Sequence, residues 1–215
     1  ILLENTRSFL LDLVVLSICL QDRGWQVDTG TGRAVNPERF GTASATVRRV
    51  GDRWLVDDGA GLSSAQICMR VRKHKKRLDT KLVVVDFLQQ VHEPGAKGDM
   101  AEFPRANLAM RAFVALARAE NLPVVLLAQL NRDLERRPAN DRRPRLSDLR
   151  DSGTLEQDSK MVILLYRDEF YDKDSKDRGI GEAIIAKNSN GRPGTVLLQW
   201  DAPSASYRTL ARRGA

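Results

Sequence analysis

Two cysteines and two histidines are all that this chain of 215 residues contains. Cys19 and Cys68 stand far apart in apolar or helical contexts, so neither a disulfide framework nor thiolate metal spacing is visible, and a reducing cytoplasm fits. His74 and His92 lie in unrelated contexts, give little support to a histidine-ligated metal, and read as surface residues. Aromatics make up 6% of the chain and are little interleaved with its basic clusters, so base-stacking platforms are not predicted. The strongly apolar stretch Phe9–Leu20 is little over half the length of a membrane-spanning helix and carries Asp12; a buried helix is the better reading. No GxxxxGK[ST] loop occurs, and with it go the backbone N–H groups and the lysine that cradle nucleotide phosphates. Neither internal repeats nor low-complexity segments stand out.

What is present is ordinary globular material, 42% hydrophobic and 29% charged, long enough for one α/β domain with a sizeable core over residues 1–215. The balance of 35 basic against 28 acidic residues gives a net charge of +7. That favours a polyanionic partner, although it suits any soluble basic protein.

Two apolar runs read as strands buried on both faces of a parallel sheet. The first, Lys81–Phe87 (KLVVVDF), ends in Asp86. A carboxylate at the tip of a hydrophobic strand is the Walker B arrangement, able to orient the water shell of a Mg²⁺ on nucleotide phosphates; the plainer reading is a core strand whose last residue caps the next turn. The second, Val124–Leu127 after Pro123, carries Gln129 and Asn131 at its carboxyl end. Ligands bind at that edge of open α/β sheets, and a neutral amide there can bond a phosphate oxygen or an attacking water.

Around these strands, Trp54 opens a short strand followed by a helix capped by Ser63 or Ser64, with Ile67, Val71 and Leu78 as its buried stripe. Arg70, Arg72, Lys73, Lys75, Lys76 and Arg77 on that helix read as a solvated end that complements the helix dipole, with DNA contact as the alternative. Arg105–Glu120 reads as an amphipathic helix with Leu108, Ala112, Ala115, Leu116 and Ala119 on one stripe, ended by Asn121 and Pro123. Gly30 and Gly32 lack the third glycine and the preceding strand of a nucleotide loop and read as a plain turn. Arg132–Arg150 holds seven arginines and four acids, and prolines lead to a reading of Arg136–Arg145 as a mobile loop, either solvated or touching DNA. The final third reads as strands and tight turns: Met161–Tyr166, a charged hairpin, Gly181–Lys187, the turn NSNGRPG and Thr195–Trp200, an antiparallel extension of the sheet. Thr209–Ala215 reads as a frayed tail.

In order, VVVDFLQQV, LPVVLLAQLNRDLERRP, LSDLRDSGTLEQDSKMVILLYRDE and GIGEAIIAKNSNGRPGTV resemble the C-terminal motor domain of DnaB-type replicative DNA helicases. The resemblance covers residues 54–210, is most specific from Asp148 to Glu169, and is weak over residues 1–53. It implies a RecA-like fold, a mostly parallel sheet flanked by helices with an antiparallel C-terminal extension. It also implies a hexameric ring that couples ATP hydrolysis, with Mg²⁺, to five-prime to three-prime movement on single-stranded DNA, with primase and a helicase loader as further partners, in the cytoplasm and without a membrane.

Residue by residue, the resemblance matches Asp86 to the Walker B acid and Gln129 to the γ-phosphate-sensing glutamine. Arg150, Asp151, Ser152 and Gly153 match the loop that holds the DNA backbone, with Arg132 beside them, and binding through such a glycine loop is expected to tolerate sequence and fall steeply with salt. Lys187 matches a basic residue that reaches the neighbouring subunit's nucleotide. Glu4 is matched to the glutamate that polarises the attacking water; its plain alternative is an exposed acid near a terminus. Ser189 stands where the family carries an arginine finger, and the expectation is that Arg192, three residues on, substitutes. Because the chain starts at Ile1, near the strand that follows the missing phosphate loop, amino-terminal truncation is the expected reason for the loop's absence. An uncovered part of the sheet, with poor solubility or self-association, is expected to follow.

Overall fold

The structure is a computed structural model that describes residues 27–28, 33–34, 55, 57, 59–93, 102–138, 141–202 and 206–210. Glu4, the apolar stretch Phe9–Leu20 and Cys19, each given a reading above, lie outside the described residues. So does most of the segment around Trp54; residues 55, 57 and 59 are not in a strand. Two short strands, β1 (Val27–Asp28) and β2 (Arg33–Ala34), pair antiparallel on either side of the glycines read as a turn.

Helix α1 (Ser64–Leu78) starts where the sequence signals it. Ser63 accepts a hydrogen bond from the Gln66 backbone while the Gln66 side chain accepts from the Ser63 N–H, a reciprocal capping box. It stops at Asp79, whose left-handed backbone closes the last turn onto the Lys75 carbonyl. Ile67, Cys68 and Val71 face the core, but Leu78 is 57% exposed, because the helix ends before that position can turn inward. His74 is half-buried, and only His92 is fully at the surface. The basic cluster is partly spoken for: Arg70 bonds Asp57 at 2.6 Å and Arg72 bonds Glu120 at 3.0 Å, while Lys75 reaches the Glu120 backbone carbonyl.

Strand β3 (Val83–Val85) leads into a 3-10 turn at Leu88–Gln90, and after α2 (Glu102–Glu120) strand β4 (Val124–Leu126) lies parallel to it. Both strands are shorter than the apolar runs suggest. Nor is the pair buried on both faces. Val83 and Val85 point into the core, but Val84 and its cross-strand partner Val125 are 42% and 48% exposed. The core side is filled by α1 and α2, and α2 presents Ala106, Ala109, Met110, Phe113 and Leu116 to it. The expected stripe is therefore rotated: Leu108, Ala115 and Ala119 are exposed. The larger side chains of Met110 and Phe113 fill the gap that alanines would leave, and packing rather than the count of apolar letters sets the helix's rotation.

The remaining strands form an antiparallel sheet in the order β5 (Met161–Tyr166), β6 (Ile180–Asn188), β7 (Gly194–Asp201) and β8 (Ser206–Thr209). β5 alternates strictly, with Val162, Leu164 and Tyr166 buried. Two departures from the expectation occur in this sheet. Thr209 of the expected tail pairs with Leu198 in β8, while residues 211–215 lie outside the described residues, and the charged connection after β5 contains a helical turn, α4 (Asp168–Tyr171). Arg167 lies between the Trp200 and Phe170 rings, 4.0 and 5.8 Å from their centroids, tying β5 to β7.

Candidate functional site

The parallel register decides what meets at the carboxyl rim. Val85 pairs with Leu126, the Leu127 N–H donates to the Val85 carbonyl at 2.9 Å, and the Leu88 N–H donates to the Leu127 carbonyl at 2.8 Å. Asp86, half-buried, and Gln129, exposed, thus leave the same end of one strand pair. A third residue, which the sequence reading missed, joins them. Gln89 donates from its side-chain amide to the Gln129 carbonyl and accepts from the Gln129 N–H, both at 3.2 Å. It stands three residues after Asp86, inside the 3-10 turn Leu88–Gln90, and that nearness is the only trace it leaves in the sequence.

Two residues further, the Asn131 side chain caps a 3-10 turn at Arg132–Arg136 by accepting from the Asp133 N–H at 3.0 Å. The Asn131 N–H donates to the backbone carbonyl of Asp148 at 3.3 Å. The Asp148 carboxylate is buried and accepts from the Arg137 guanidinium through both oxygens and from the Arg145 N–H at 2.7 Å. Bonding to Asp148 pushes the Arg137 guanidinium further above its ordinary range. Arg143 bonds Glu182 at 2.6 Å and Thr195 at 3.1 Å, Arg142 sits over the Tyr171 ring, and Arg145 pairs with Asp141. The described part of the expected mobile loop Arg136–Arg145, residues 136–138 and 141–145, is therefore bonded to the rest of the chain; residues 139–140 lie outside the described residues. Asp148 and Glu182, both outside the segment, meet Arg137 and Arg143 only after folding, and they tie it to the rim and to the antiparallel sheet.

Residues Leu146–Ser152 form a 3-10 helix that passes directly into α3 (Gly153–Asp158). The expected glycine loop at Arg150, Asp151, Ser152 and Gly153 is thus helical backbone. Leu149 is buried in the core of the antiparallel sheet and Leu155 in that of the parallel pair, so the segment spans two cores and winds to reach both. Arg132 opens the preceding 3-10 turn.

The β6–β7 hairpin carries Lys187, Ser189 and Arg192. Lys187 donates to the carbonyls of Glu156 and Gln157 at 2.6 and 2.9 Å, placing a cation on the last turn of α3. It is tied within this chain rather than projecting from it. Ser189 is exposed and its N–H donates to the Lys160 carbonyl at 2.8 Å; Arg192 is exposed in the turn.

In donor chemistry the rim suits a hydrated divalent cation and a phosphate: a half-buried carboxylate and an exposed neutral amide whose backbone is held in place leave the same end of the strand pair. Asp86 would orient the cation's water shell and Gln129 would meet a phosphate oxygen. The sequence contains no glycine-rich phosphate cradle to complete the pair.

The DnaB-like helicase C terminal domain profile matches residues 24–209. The chain is 32% identical to the replicative DNA helicase DnaB of Geobacillus stearothermophilus over 98% of its length and 47% of that protein's. To DnaB of Haemophilus influenzae it is 38% identical over 74% of its length and 33% of the relative's. It therefore spans half or less of these curated relatives. Among solved structures it superposes on an ATPase domain with a TM-score of 0.82 at 30% identity, covering 97% of this chain and 72% of that one. It also superposes on a DnaB-like replicative helicase, solved in work on its interactions with primase, with a TM-score of 0.80 at 31% identity, covering 96% and 48%. The fold is α/β, of the RecA-like ATPase kind. No helix of the described residues is long and apolar enough to cross a membrane.

Proposed function

Since the chain belongs to the DnaB-like helicase C-terminal domain family, we propose that it is the motor part of a replicative DNA helicase, working as a homo-hexameric ring on single-stranded DNA in the cytoplasm. Bound ATP with Mg²⁺ would supply the free energy of phosphoanhydride cleavage. The observation that carries this reading is the common rim: Asp86 follows β3 directly, Gln129 stands three residues beyond the end of its parallel neighbour β4, and the segment after Gln129 is bonded to the segment holding Arg150. Asp86 orients the metal's water shell, Gln129 senses the γ-phosphate, and Glu4 polarises the attacking water. Arg150, Asp151, Ser152 and Gly153, with Arg132, hold the DNA backbone. Arg192 acts across a subunit boundary, in place of the arginine finger that the family carries where this chain has Ser189; Lys187 joins it there only by releasing the Glu156 and Gln157 carbonyls. Primase and a loader are the partners this role calls for.

A non-catalytic ring subunit of the same fold is the second reading. It is favoured by Ser189, which stands where the resemblance places an arginine finger.

The test is fluorescence anisotropy with labelled single-stranded and duplex DNA across a salt series, together with a fluorescent ATP analogue and Mg²⁺. Preferential single-strand binding that falls with salt and weakens in Arg150→Ala is expected. In a chain carrying a GxxxxGK[ST] segment ahead of Ile1, analogue binding that is lost in Asp86→Ala supports the motor; DNA binding without analogue binding in that longer chain supports the subunit. An Arg150→Ala variant with unaltered DNA affinity would remove the assignment of residues 150–153.

A further inference from the structure

A short segment, Gln129–Asn131, is held at both ends by groups from other parts of the chain. At its start, Gln89 bonds both backbone groups of Gln129. At its end, the Asn131 N–H bonds the Asp148 carbonyl, while the buried Asp148 carboxylate takes Arg137 and the Arg145 N–H. Arg137 itself follows the 3-10 turn that Asn131 caps. The path from Asn131 through that turn to Arg137, on to Asp148 and back to Asn131 is therefore a closed brace. Asp148 lies in the same 3-10 helix as Arg150. Leu130 alone separates Gln129 from this path, so a displacement of Gln129 has a short bonded route to the helix that carries Asp148.

We propose that Gln89 and Asp148 are positioning residues that make Gln129–Asn131 the mechanical link between the phosphate-facing rim and the 150–153 segment. The inference rests on the functional reading of those two ends given above. Neither residue touches the reacting atoms: Gln89 sets where the Gln129 backbone stands, and Asp148 sets where the helix of Arg150 stands. A carboxylate serves at 148 because two donors of different origin, a guanidinium and a backbone N–H, converge on a buried acceptor. A half-buried amide serves at 89 because its two bonds reach the backbone of the exposed Gln129, where water can take their place.

Hydrogen–deuterium exchange on this chain tests the link without requiring nucleotide. In Gln89→Ala, amides at 127–131 are expected to exchange faster, and so are amides at 146–153, which Gln89 does not bond. In Asp148→Asn the effect should run the other way, reaching 127–131. Glu135→Ala, an exposed position on the intervening turn, should do neither. A purely local role for Gln89 would quicken 127–131 and leave 146–153 unchanged, and that outcome overturns the proposal. Where Asp148→Asn does not fold, Arg137→Gln takes its place, with Arg137→Lys expected to restore protection. In parallel, affinity for a labelled oligothymidylate should fall roughly three- to tenfold in Gln89→Ala and Asp148→Asn, and unchanged affinity in both overturns the link. Arg150→Ala separates the two readings. If it leaves DNA affinity intact, the DNA assignment has failed whatever the exchange data show; if it weakens binding while the exchange data show no crosstalk, only the link has failed.

Discussion

Gln89 holds Gln129 by its backbone, not by its side chain: one amide group spans the N–H and the carbonyl of the same residue, each at 3.2 Å. This leaves the Gln129 side chain with no role in the clamp, which separates position from chemistry at the rim. Gln89→Ala should therefore cost about 0.5–1.5 kcal/mol of stability in urea unfolding. Gln129→Ala should stay within about 0.5 kcal/mol of the parent. Equal losses from both would mean that the Gln129 side chain is itself structural.

Neighbouring valines on β3 should behave oppositely. Val85 is 1% exposed and sits against α2, so Val85→Ala should cost about 2 kcal/mol. Val84→Ala should change stability by less than about 0.5 kcal/mol. Val84, Val125 and the flanking Leu82 and Leu127 form an exposed apolar stripe on the pair's other face, the kind of surface that promotes association. Light scattering should show less self-association for Val84→Lys with Val125→Lys; a parent chain that is already monomeric at high concentration would refute the expectation.

Gly181 is required by close approach. A Cβ built there would overlap Tyr207 Cε1, and the Tyr207 ring is itself packed on Trp200 with centroids 4.9 Å apart. Gly181→Ala should lower stability by about 1–3 kcal/mol. In a Tyr207→Ala background most of that penalty should vanish, since the obstructing ring is gone; a penalty that persists would place the strain in the backbone instead.

Acid should loosen the turn after β5 through Asp168. Hydrogen bonds from Ser175 and from the Tyr166 hydroxyl, the latter at 2.5 Å, hold its carboxyl below the usual carboxylate range. A carboxyl depressed in the folded state contributes stability above its unfolded value, and that contribution is lost as pH falls through the folded value. Thermal melts from about pH 6 down to about pH 2 should show a shallower acid limb for Asp168→Asn than for the parent. On the alkaline side, burial and the bond to Asp168 raise the Tyr166 phenol, so it should titrate above ordinary tyrosines in an absorbance titration.

The sequence by itself determined the local and periodic features. Strict alternation in Met161–Tyr166 survives as β5, Ser63 caps α1 with Gln66, and the runs ending near Asp86 and Gln129 pair in parallel so that both residues reach one rim. These depend on neighbours a few residues away, or on apolar runs whose burial is their main driving force. Tertiary structure alone decided the rest. The rotation of α2 follows the bulk of Met110 and Phe113. The arginine segment became ordered because Asp148 and Glu182, up to 39 residues away, arrive to meet Arg137 and Arg143. Gln89 became part of the site, and Arg150–Gly153 became helical, for the same reason: a side chain's partner, and a segment's need to bury Leu149 and Leu155 in two different cores, are properties of distances through space that no local pattern of letters encodes.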